Sequence, residues 1–404
     1  MIYKKNKLTI DHFDIGSIAK KYKTPIYCYS LKKIKNNIEN LKNNFKKINP
    51  LICFAVKANS NLGILREIKK SNLGADVVSG GELIKALKAG IKPKKIVFSG
   101  VGKIAEEIEY AINKNILLIN AESKSEILEI EKIAKYKKKI VAVGIRLNPN
   151  TDAKTLSQIS TGKKENKFGV DQKLFLQLVN FIKKSKYLNL KCLSVHIGSQ
   201  ILSNKPYQNM LKVVNKIIKK SNFKFEYIDL GGGMGIDYDH NNSKLNLKKY
   251  SQSIEKFLKA NNCKVIFEPG RFIVGNSAVL ITKIIYIKPG FKKDFIILDA
   301  AMNDLMRPAL YNAKHKIMPL KKIKKTSKKS YEFVGPICES TDTFATVKKY
   351  QKLNEKDYLI ICDVGAYGMS LASNYNVRPK PLEILINGSR IQILNKRQKI
   401  SELM

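Results

Sequence analysis

The feature that most constrains the fold is a regular alternation between short apolar runs and helical patterns from residue 52 to residue 268. The apolar runs have the length of buried strands, and the segments between them repeat apolar residues every three or four positions. Strands that alternate with helices pair in parallel. About eight such units predict an α/β fold with a (β/α)8 TIM-like barrel, and a doubly wound open sheet is the alternative. The predicted strands are 52–56, 75–78, 96–98, 117–119, 141–147, 190–196, 226–230 and 264–268, and the predicted helices are 62–70, 81–89, 104–113, 124–136, 172–185, 207–220 and 247–260.

The pattern changes after Arg271, where short β-type runs separated by Pro, Gly and Lys predict an all-β C-terminal domain. We therefore expect an N-terminal segment at 1–30 that packs with this domain, a barrel domain at 31–274, and the β-domain at 275–404. A long polar loop at 148–170 is expected to be functional or mobile, because idle loops of that length are uncommon. The β-type runs are 278–287, 295–299, 331–334, 358–361 and 391–394.

The net charge of +42 raises the question of a nucleic-acid partner. The lysines are spread along the whole chain, and aromatic residues do not interleave with the basic runs. Lys, Asn and Ile are abundant together, which is typical of an AT-rich coding sequence. We expect no specific nucleic-acid partner, and only weak, salt-sensitive binding to polyanions.

Cysteine and histidine usage points away from metals and disulfides. The six cysteines form no Cys-x-x-Cys pair, and the four histidines show no metal-ligand spacing. The first residues contain no apolar signal region, and no run reaches the ~18 apolar residues of a membrane helix. The sequence predicts a protein of the reducing cytoplasm without a membrane partner.

Polar residues follow the predicted barrel strands, where the reactive groups of a β/α barrel lie. Together they would offer an amine, a turn able to bind phosphate, an imidazole and a carboxylate, which are the parts that pyridoxal phosphate needs. These positions are Lys57, Asp76, Arg146, His196, Ser199, Gly231, Gly232, Gly233, Glu268, Gly270 and Arg271.

Lys57 is the central candidate, because it ends the buried run Leu51–Val56. Partial burial of an amine favours its neutral, nucleophilic form and thus Schiff-base chemistry. The simpler interpretation is a surface lysine with an apolar stem. Likewise, Gly231–Gly233 could be a plain turn and His196 a core histidine.

Several motifs resemble the fold type III pyridoxal-phosphate decarboxylases. They are Phe54-Ala-Val-Lys57-Ala-Asn, His196-Ile-Gly-Ser-Gln, Gly231-Gly-Gly and Glu268-Pro-Gly-Arg271. The second half is similar to the diaminopimelate decarboxylases within that group, through Met302-Asn-Asp-Leu-Met-Arg307-Pro-Ala-Leu-Tyr311, Gly335-Pro-Ile-Cys338-Glu339-Ser340-Thr-Asp342 and Gly365-Ala-Tyr367-Gly. The resemblance covers residues 25 to 385. One departure is Thr341, where the family commonly has glycine.

The resemblance implies pyridoxal 5'-phosphate as cofactor and a homodimer with shared active sites. Lys57 would bind the cofactor covalently, His196 would stack on its ring, and Glu268 would face the pyridine nitrogen. Ser199 and Gly231–Gly233 would bind phosphate with help from Tyr367, and Asp76 and Gly270 would complete the cofactor site. The substrate would be held by Arg271, Arg307, Tyr311, Glu339 and Tyr367. Cys338 would donate the proton that replaces the lost carboxylate, reaching in with Glu339 from the partner subunit.

The implied reaction converts meso-2,6-diaminopimelate to L-lysine and CO2, the last step of lysine biosynthesis. Arginine suits the carboxylate that stays, because it binds carboxylates in a bidentate manner that lysine cannot copy. The rivals are decarboxylases of the same fold that act on ornithine, arginine or carboxynorspermidine, which lack the distal carboxylate. An alanine racemase would lack Cys338 and Glu339, and a non-catalytic relative should have lost groups from the site. For Cys338 and Glu339 alone, a buried structural cysteine and a surface charge are the simpler interpretations.

Overall fold

The computed structural model describes residues 2–153, 161–162 and 165–404. Its strands are β1 (Ile2–Lys4), β2 (Lys7–Ile10), β3 (Phe13–Asp14), β4 (Ile26–Ser30), β5 (Leu51–Ala55), β6 (Gly74–Val77), β7 (Ile96–Phe98), β8 (Leu118–Ala121), β9 (Val141–Arg146), β10 (Leu188–Ser194), β11 (Tyr227–Asp229), β12 (Lys264–Phe267), β13 (Ala278–Lys288), β14 (Lys293–Leu298), β15 (Ile317–Pro319), β16 (Ser330–Val334), β17 (Thr343–Val347), β18 (Tyr358–Cys362), β19 (Leu382–Asn387) and β20 (Arg390–Asn395). Its α-helices are α1 (Ile15–Tyr22), α2 (Leu31–Asn44), α3 (Leu62–Lys70), α4 (Gly80–Lys88), α5 (Ala105–Asn113), α6 (Lys124–Tyr136), α7 (Gln172–Lys184), α8 (Asn204–Ser221), α9 (Leu247–Ala260), α10 (Arg271–Val274) and α11 (Arg307–Tyr311).

The chain divides into two compact units, and the first, the barrel unit, comprises described residues from 38 to 236 and from 244 to 272. Strands β5 to β12 pair in parallel in chain order, and β12 closes on β5 through the register Ile266↔Leu51. The predicted (β/α)8 barrel is therefore confirmed, and the open doubly wound alternative is wrong.

Side-chain caps mark the start of several of the barrel helices. Asn61, Ser79, Ser123 and Asp171 each accept a backbone N–H of the first helical turn. Such caps satisfy donors that helix starts leave unpaired, and each contributes roughly 1 kcal/mol. Lys57, for example, lies between the end of β5 and the capped start of α3.

The second unit, the sheet unit, comprises residues up to 37, 237–243 and 273–404. Its main sheet has the order β17-β16-β14-β13-β4-β19-β20, with β18 paired to β13 and β15 paired to β18. The N-terminal strand β4 lies between β13 and β19, antiparallel to the first and parallel to the second. Its residues Ile26 and Cys28 are fully buried in a core with Val279, Ile281 and Ile384.

These β-sheets confirm the predicted fold class of a barrel with additional β structure, whereas the domain boundaries at 30 and 274 remain predictions. Within the described ranges, no helix is both long enough and apolar enough to cross a membrane.

Candidate active site

Lys57 lies on a short 3-10 turn, Val56–Ala58, directly after β5. Its ammonium donates a hydrogen bond to Asp76 Oδ2 on the neighbouring strand β6. The Asp76 side chain is fully buried, whereas 38% of the Lys57 side chain is exposed. The other carboxylate oxygen of Asp76 is buried without a hydrogen-bond partner in the structure. Because buried polar atoms nearly always have partners, this oxygen marks a place for a polar ligand.

The turn after β11 requires glycine. Gly231 and Gly233 have φ angles of 64° and 82°, in the left-handed region that favours glycine. A Cβ atom on Gly231 would lie 2.5 Å from His196 Nδ1 and 2.9 Å from the Val195 carbonyl oxygen. The turn therefore packs so closely against His196 and the Val195 carbonyl that no side chain fits at Gly231.

His196 is a neutral ring beside that turn. The Gly232 N–H donates to His196 Nδ1 over 3.2 Å, so the ring proton resides on Nε2. Burial lowers the pKa of His196 well below its usual range, and the nearby cations Arg146 and Lys57 act in the same direction. A flat, uncharged imidazole can pack against the face of an aromatic ring without repelling a cation.

Glu268 and Asp229 form a buried acid pair inside the barrel. They share a side-chain hydrogen bond, and burial raises the pKa of both, most strongly that of Glu268, where the Asp229 and Asp76 charges add to the effect. The Ser99 hydroxyl donates to Glu268 Oε1 over 3.2 Å, and the Asn120 amide donates to Asp229 Oδ2 over 2.9 Å. Two buried carboxyl groups that share a hydrogen bond favour holding one proton between them over both being ionised.

The segment after β12 runs against the Lys57 turn. The Ala55 N–H donates to the Pro269 carbonyl over 3.3 Å, and Gly270 and Arg271 follow, both buried. The Arg271 guanidinium donates to Ser199 Oγ over 3.0 Å. The structure thus brings two predicted site residues, Ser199 and Arg271, into direct contact.

In the sheet unit, Arg307 and Tyr311 begin and end helix α11. The buried Arg307 bonds to His315 Nε2 over 2.8 Å and lies over the Tyr238 ring, 4.6 Å from its centre. Tyr311 is half-buried, as is Tyr367, which follows β18 with a φ of 58°.

Cys338 and Glu339 lie on an exposed loop between β16 and β17. Glu339 accepts hydrogen bonds from the Tyr375 hydroxyl and, over 3.0 Å, from the Thr341 hydroxyl, and these two bonds lower its pKa. The departure at Thr341 therefore adds a partner for Glu339. Asp342 holds the loop, because its carboxylate accepts the N–H groups of Ile337 and Met302, each over 2.7 Å.

The long loop predicted at 148–170 is described only in part, since 154–160 and 163–164 lie outside the described residues. Its base is tied to the barrel by Glu122, which accepts Arg146 over 2.8 Å and the Gly169 N–H over 3.0 Å. The Thr161 hydroxyl donates to the His196 carbonyl over 3.0 Å.

Sequence reasoning missed Asp229, Asn120, Ser99, His315 and Asp342. A signal was available for the barrel residues, because Asn120 and Asp229 are polar positions inside runs that are otherwise buried and apolar. Such residues are rarely buried unless they have a partner or a function. His315 and Asp342 carried no comparable signal, since neither lies in an otherwise apolar run.

Comparison with known proteins identifies the family. Residues 31–275 match the model of the "Pyridoxal-dependent decarboxylase, pyridoxal binding domain" family. The diaminopimelate decarboxylase of Helicobacter pylori (strain J99 / ATCC 700824) is 45% identical over 97% of each chain, and that of Aquifex aeolicus (strain VF5) is 37% identical over 98% of this chain and 94% of the other. The crystal structure of diaminopimelate decarboxylase from Helicobacter pylori complexed with L-lysine superposes with a TM-score of 0.92, at 44% identity, over 96% of this chain and 98% of that one.

The chain belongs to the diaminopimelate decarboxylase family. It is therefore a pyridoxal-phosphate-dependent carboxy-lyase, which confirms the cofactor and the enzyme class expected from the motifs.

The residues of the barrel unit fit that cofactor. Lys57 offers an amine, and the unpartnered oxygen of Asp76 lies beside it. Gly231–Gly233 form a turn with no room for side chains, His196 offers an uncharged ring, and burial raises the pKa of Glu268 well above its usual range.

Proposed function

We propose that this chain decarboxylates meso-2,6-diaminopimelate to L-lysine and CO2, the last step of lysine biosynthesis. The proposal is supported by the shared name of the relatives and by the L-lysine bound in the Helicobacter pylori structure. The observation that carries it in this chain is Arg307, a buried guanidinium held by an uncharged acceptor and an aromatic face. Such a group is suited to the carboxylate that diaminopimelate keeps and that ornithine and arginine lack.

In the barrel unit we assign Lys57 to covalent binding of the cofactor. Asp76, at hydrogen-bond distance from the Lys57 amine, would hold that amine in position. Gly231–Gly233 and Ser199 would bind the phosphate, with Gly270, Arg271 and Tyr367 completing the cofactor site. When bound, the cofactor supplies an electron sink for the pair of electrons that the departing CO2 leaves behind.

The acid pair would set the protonation of the cofactor ring. Glu268 and Asp229 would hold one proton between them, because burial raises the pKa of both. Asn120 and Ser99 fix both carboxyl groups, so the proton stays at a defined place in the barrel. His196, kept neutral by burial, would stack on the ring without adding charge.

In the sheet unit we assign Arg307 and Tyr311, together with Arg271 and Tyr367, to substrate binding. Glu339 would bind the distal ammonium, which suits a carboxylate whose pKa is lowered by two hydrogen bonds. Cys338 would donate the proton that takes the place of the lost carboxylate, since an accessible thiol can act as a general acid.

We further propose a cytoplasmic homodimer in which Cys338 and Glu339 of one subunit serve the cofactor of the other. The exposure of this loop in the single chain is compatible with such a contact.

A substrate comparison tests the proposed reaction. The cofactor-loaded protein is incubated separately with meso-diaminopimelate, ornithine and arginine, and CO2 and the amine product are measured. We expect L-lysine and CO2 from diaminopimelate alone. Lys57→Ala should release no CO2. The control variant Lys85→Ala, which removes an exposed lysine that donates to the Ser60 hydroxyl, should release CO2 normally. Release from ornithine or arginine instead would refute the proposed substrate while keeping the reaction class.

A further inference from the structure

Arg307 is held by two neighbours that no motif singled out. One guanidinium nitrogen, NH1, lies 2.8 Å from His315 Nε2, and the guanidinium carbon lies 4.6 Å from the centre of the Tyr238 ring. Tyr238 and His315 also contact each other edge to face, with their rings 5.3 Å apart. All three belong to the sheet unit, and Arg307 and His315 are buried. We call these residues the arginine cluster.

The partners of His315 fix its protonation. Arginine only donates, so His315 Nε2 must accept. His315 Nδ1 lies 2.7 Å from the Cys362 carbonyl oxygen, which only accepts, so Nδ1 must carry the proton. His315 is therefore a neutral imidazole with one defined tautomer, anchored to the backbone at one end and bonded to Arg307 at the other.

A neutral acceptor orients a guanidinium without cancelling its positive charge, which a carboxylate in the same place would do. The Arg307 guanidinium carbon lies over the Tyr238 ring, so this contact uses the π face of the ring and not a hydrogen-bond acceptor. Arginine binds a carboxylate best with a rigid, planar pair of N–H groups. The orientation of the guanidinium therefore decides how well Arg307 binds a carboxylate.

We propose that His315 is a positioning residue for substrate specificity: it fixes Arg307, against the Tyr238 ring, to bind the carboxylate that remains in the product. This inference rests on the proposed function, because it assumes that Arg307 binds that carboxylate. His315 contributes through Arg307 and does not itself take part in the chemical step.

Two substitutions at His315 each remove a different one of the two hydrogen bonds that the imidazole makes. In His315→Asn the side-chain amide can replace Nδ1–H and keep the bond to the Cys362 carbonyl, but nothing replaces Nε2. In His315→Gln the longer side chain can place an oxygen near the Nε2 position and accept from Arg307. The two variants are thus matched in polarity and differ in which partner they keep.

The measurement is the ratio of affinities for L-lysine and for pentane-1,5-diamine, which is lysine without its carboxylate. Both are titrated by calorimetry into the cofactor-loaded wild-type protein and into each variant, and thermal unfolding is followed in parallel. The wild-type protein should prefer lysine. In His315→Asn the preference should fall roughly tenfold, the loss expected when a hydrogen bond to a charged group is removed. The diamine affinity should stay unchanged, and His315→Gln should keep most of the preference.

The outcomes distinguish the two proposals. No preference for lysine in the wild-type protein would refute carboxylate recognition by Arg307, and this inference with it. A wild-type preference that His315→Asn retains would refute the role of His315 alone. An equal loss of affinity for lysine and for the diamine would show that His315 is only structural. An equal loss of the preference for lysine in His315→Asn and His315→Gln would show the same.

Discussion

Replacing Gly231 with alanine should weaken both cofactor binding and the stability of the fold. The left-handed φ of 64° costs an alanine about 1 kcal/mol or somewhat more. The new Cβ would also lie 2.5 Å from His196 Nδ1 and 2.9 Å from the Val195 carbonyl, so the turn and the imidazole must move apart. Relieving such overpacking costs typically about 1 to 3 kcal/mol. Because we assign both groups to the proposed cofactor site, we expect the dissociation constant for pyridoxal phosphate to rise roughly tenfold to hundredfold.

Gly388 provides a matched control. It has nearly the same φ, 59°, but a Cβ there would meet nothing within 4 Å. Gly388→Ala therefore carries the backbone cost without the steric conflict. It should lower the free energy of unfolding by about 1 kcal/mol and leave the affinity for the cofactor unchanged.

Both variants are measured in the same two assays. Urea unfolding of the cofactor-free protein gives the free energy of unfolding, and titration with pyridoxal phosphate, followed by visible absorbance, gives the dissociation constant. If Gly231→Ala binds the cofactor as tightly as Gly388→Ala does, the turn after β11 is not a phosphate cradle and its assignment here is wrong.

Two further predictions concern the thiol and a buried acid. Cys338→Ala should slow turnover and leave cofactor absorbance intact, and mixing it with Lys57→Ala subunits should restore part of the activity if sites are shared; no recovery after proven subunit exchange would contradict the dimer proposal. Burial raises the pKa of Glu82 from 4.5 to about 7, so the folded chain binds this proton more tightly than the unfolded chain does. The free energy of unfolding should therefore fall as pH rises from about 4.5 to 7, by about 3 kcal/mol at most. Glu82→Gln, which can still accept the Val78 N–H, should flatten this part of the pH profile of urea unfolding; an unchanged profile would show that Glu82 is not the source.

The barrel was predictable because parallel strands buried on both faces are continuous apolar runs. Each predicted strand from 52–56 to 264–268 lies within two residues of the observed one at either end. The sheet unit was harder to predict. Strand β19 (Leu382–Asn387) was missed although it is an interior strand of the sheet, and its Glu383 breaks the apolar pattern. That carboxylate is buried because the Tyr29 hydroxyl donates to it over 2.8 Å, a partner 354 residues away.

In the candidate site, too, features that depend on contacts between distant parts of the chain could not be predicted. The position of Lys57 at the end of a buried strand could be inferred from the local sequence, and so could a glycine turn after β11. The hydrogen bond between Glu268 and Asp229 and the contacts within the arginine cluster could not be inferred, because each depends on side chains that meet only in the folded chain. His315 is one of four histidines, and only its contacts with Arg307 and Cys362 distinguish it.

Strand β4 has a consequence for how this protein is made. It is synthesised early, but its sheet neighbours β13 and β19 begin at residues 278 and 382. At 5 to 20 residues per second, roughly 10 to 50 s pass on the ribosome before β13 is even complete. Throughout that time the apolar segment Ile26-Tyr27-Cys28-Tyr29 has neither sheet neighbour, and exposed strands of this kind are prone to pair with other chains. Nascent chains should therefore depend on chaperones, and loss of the last 25 residues would leave one edge of β4 open in every molecule.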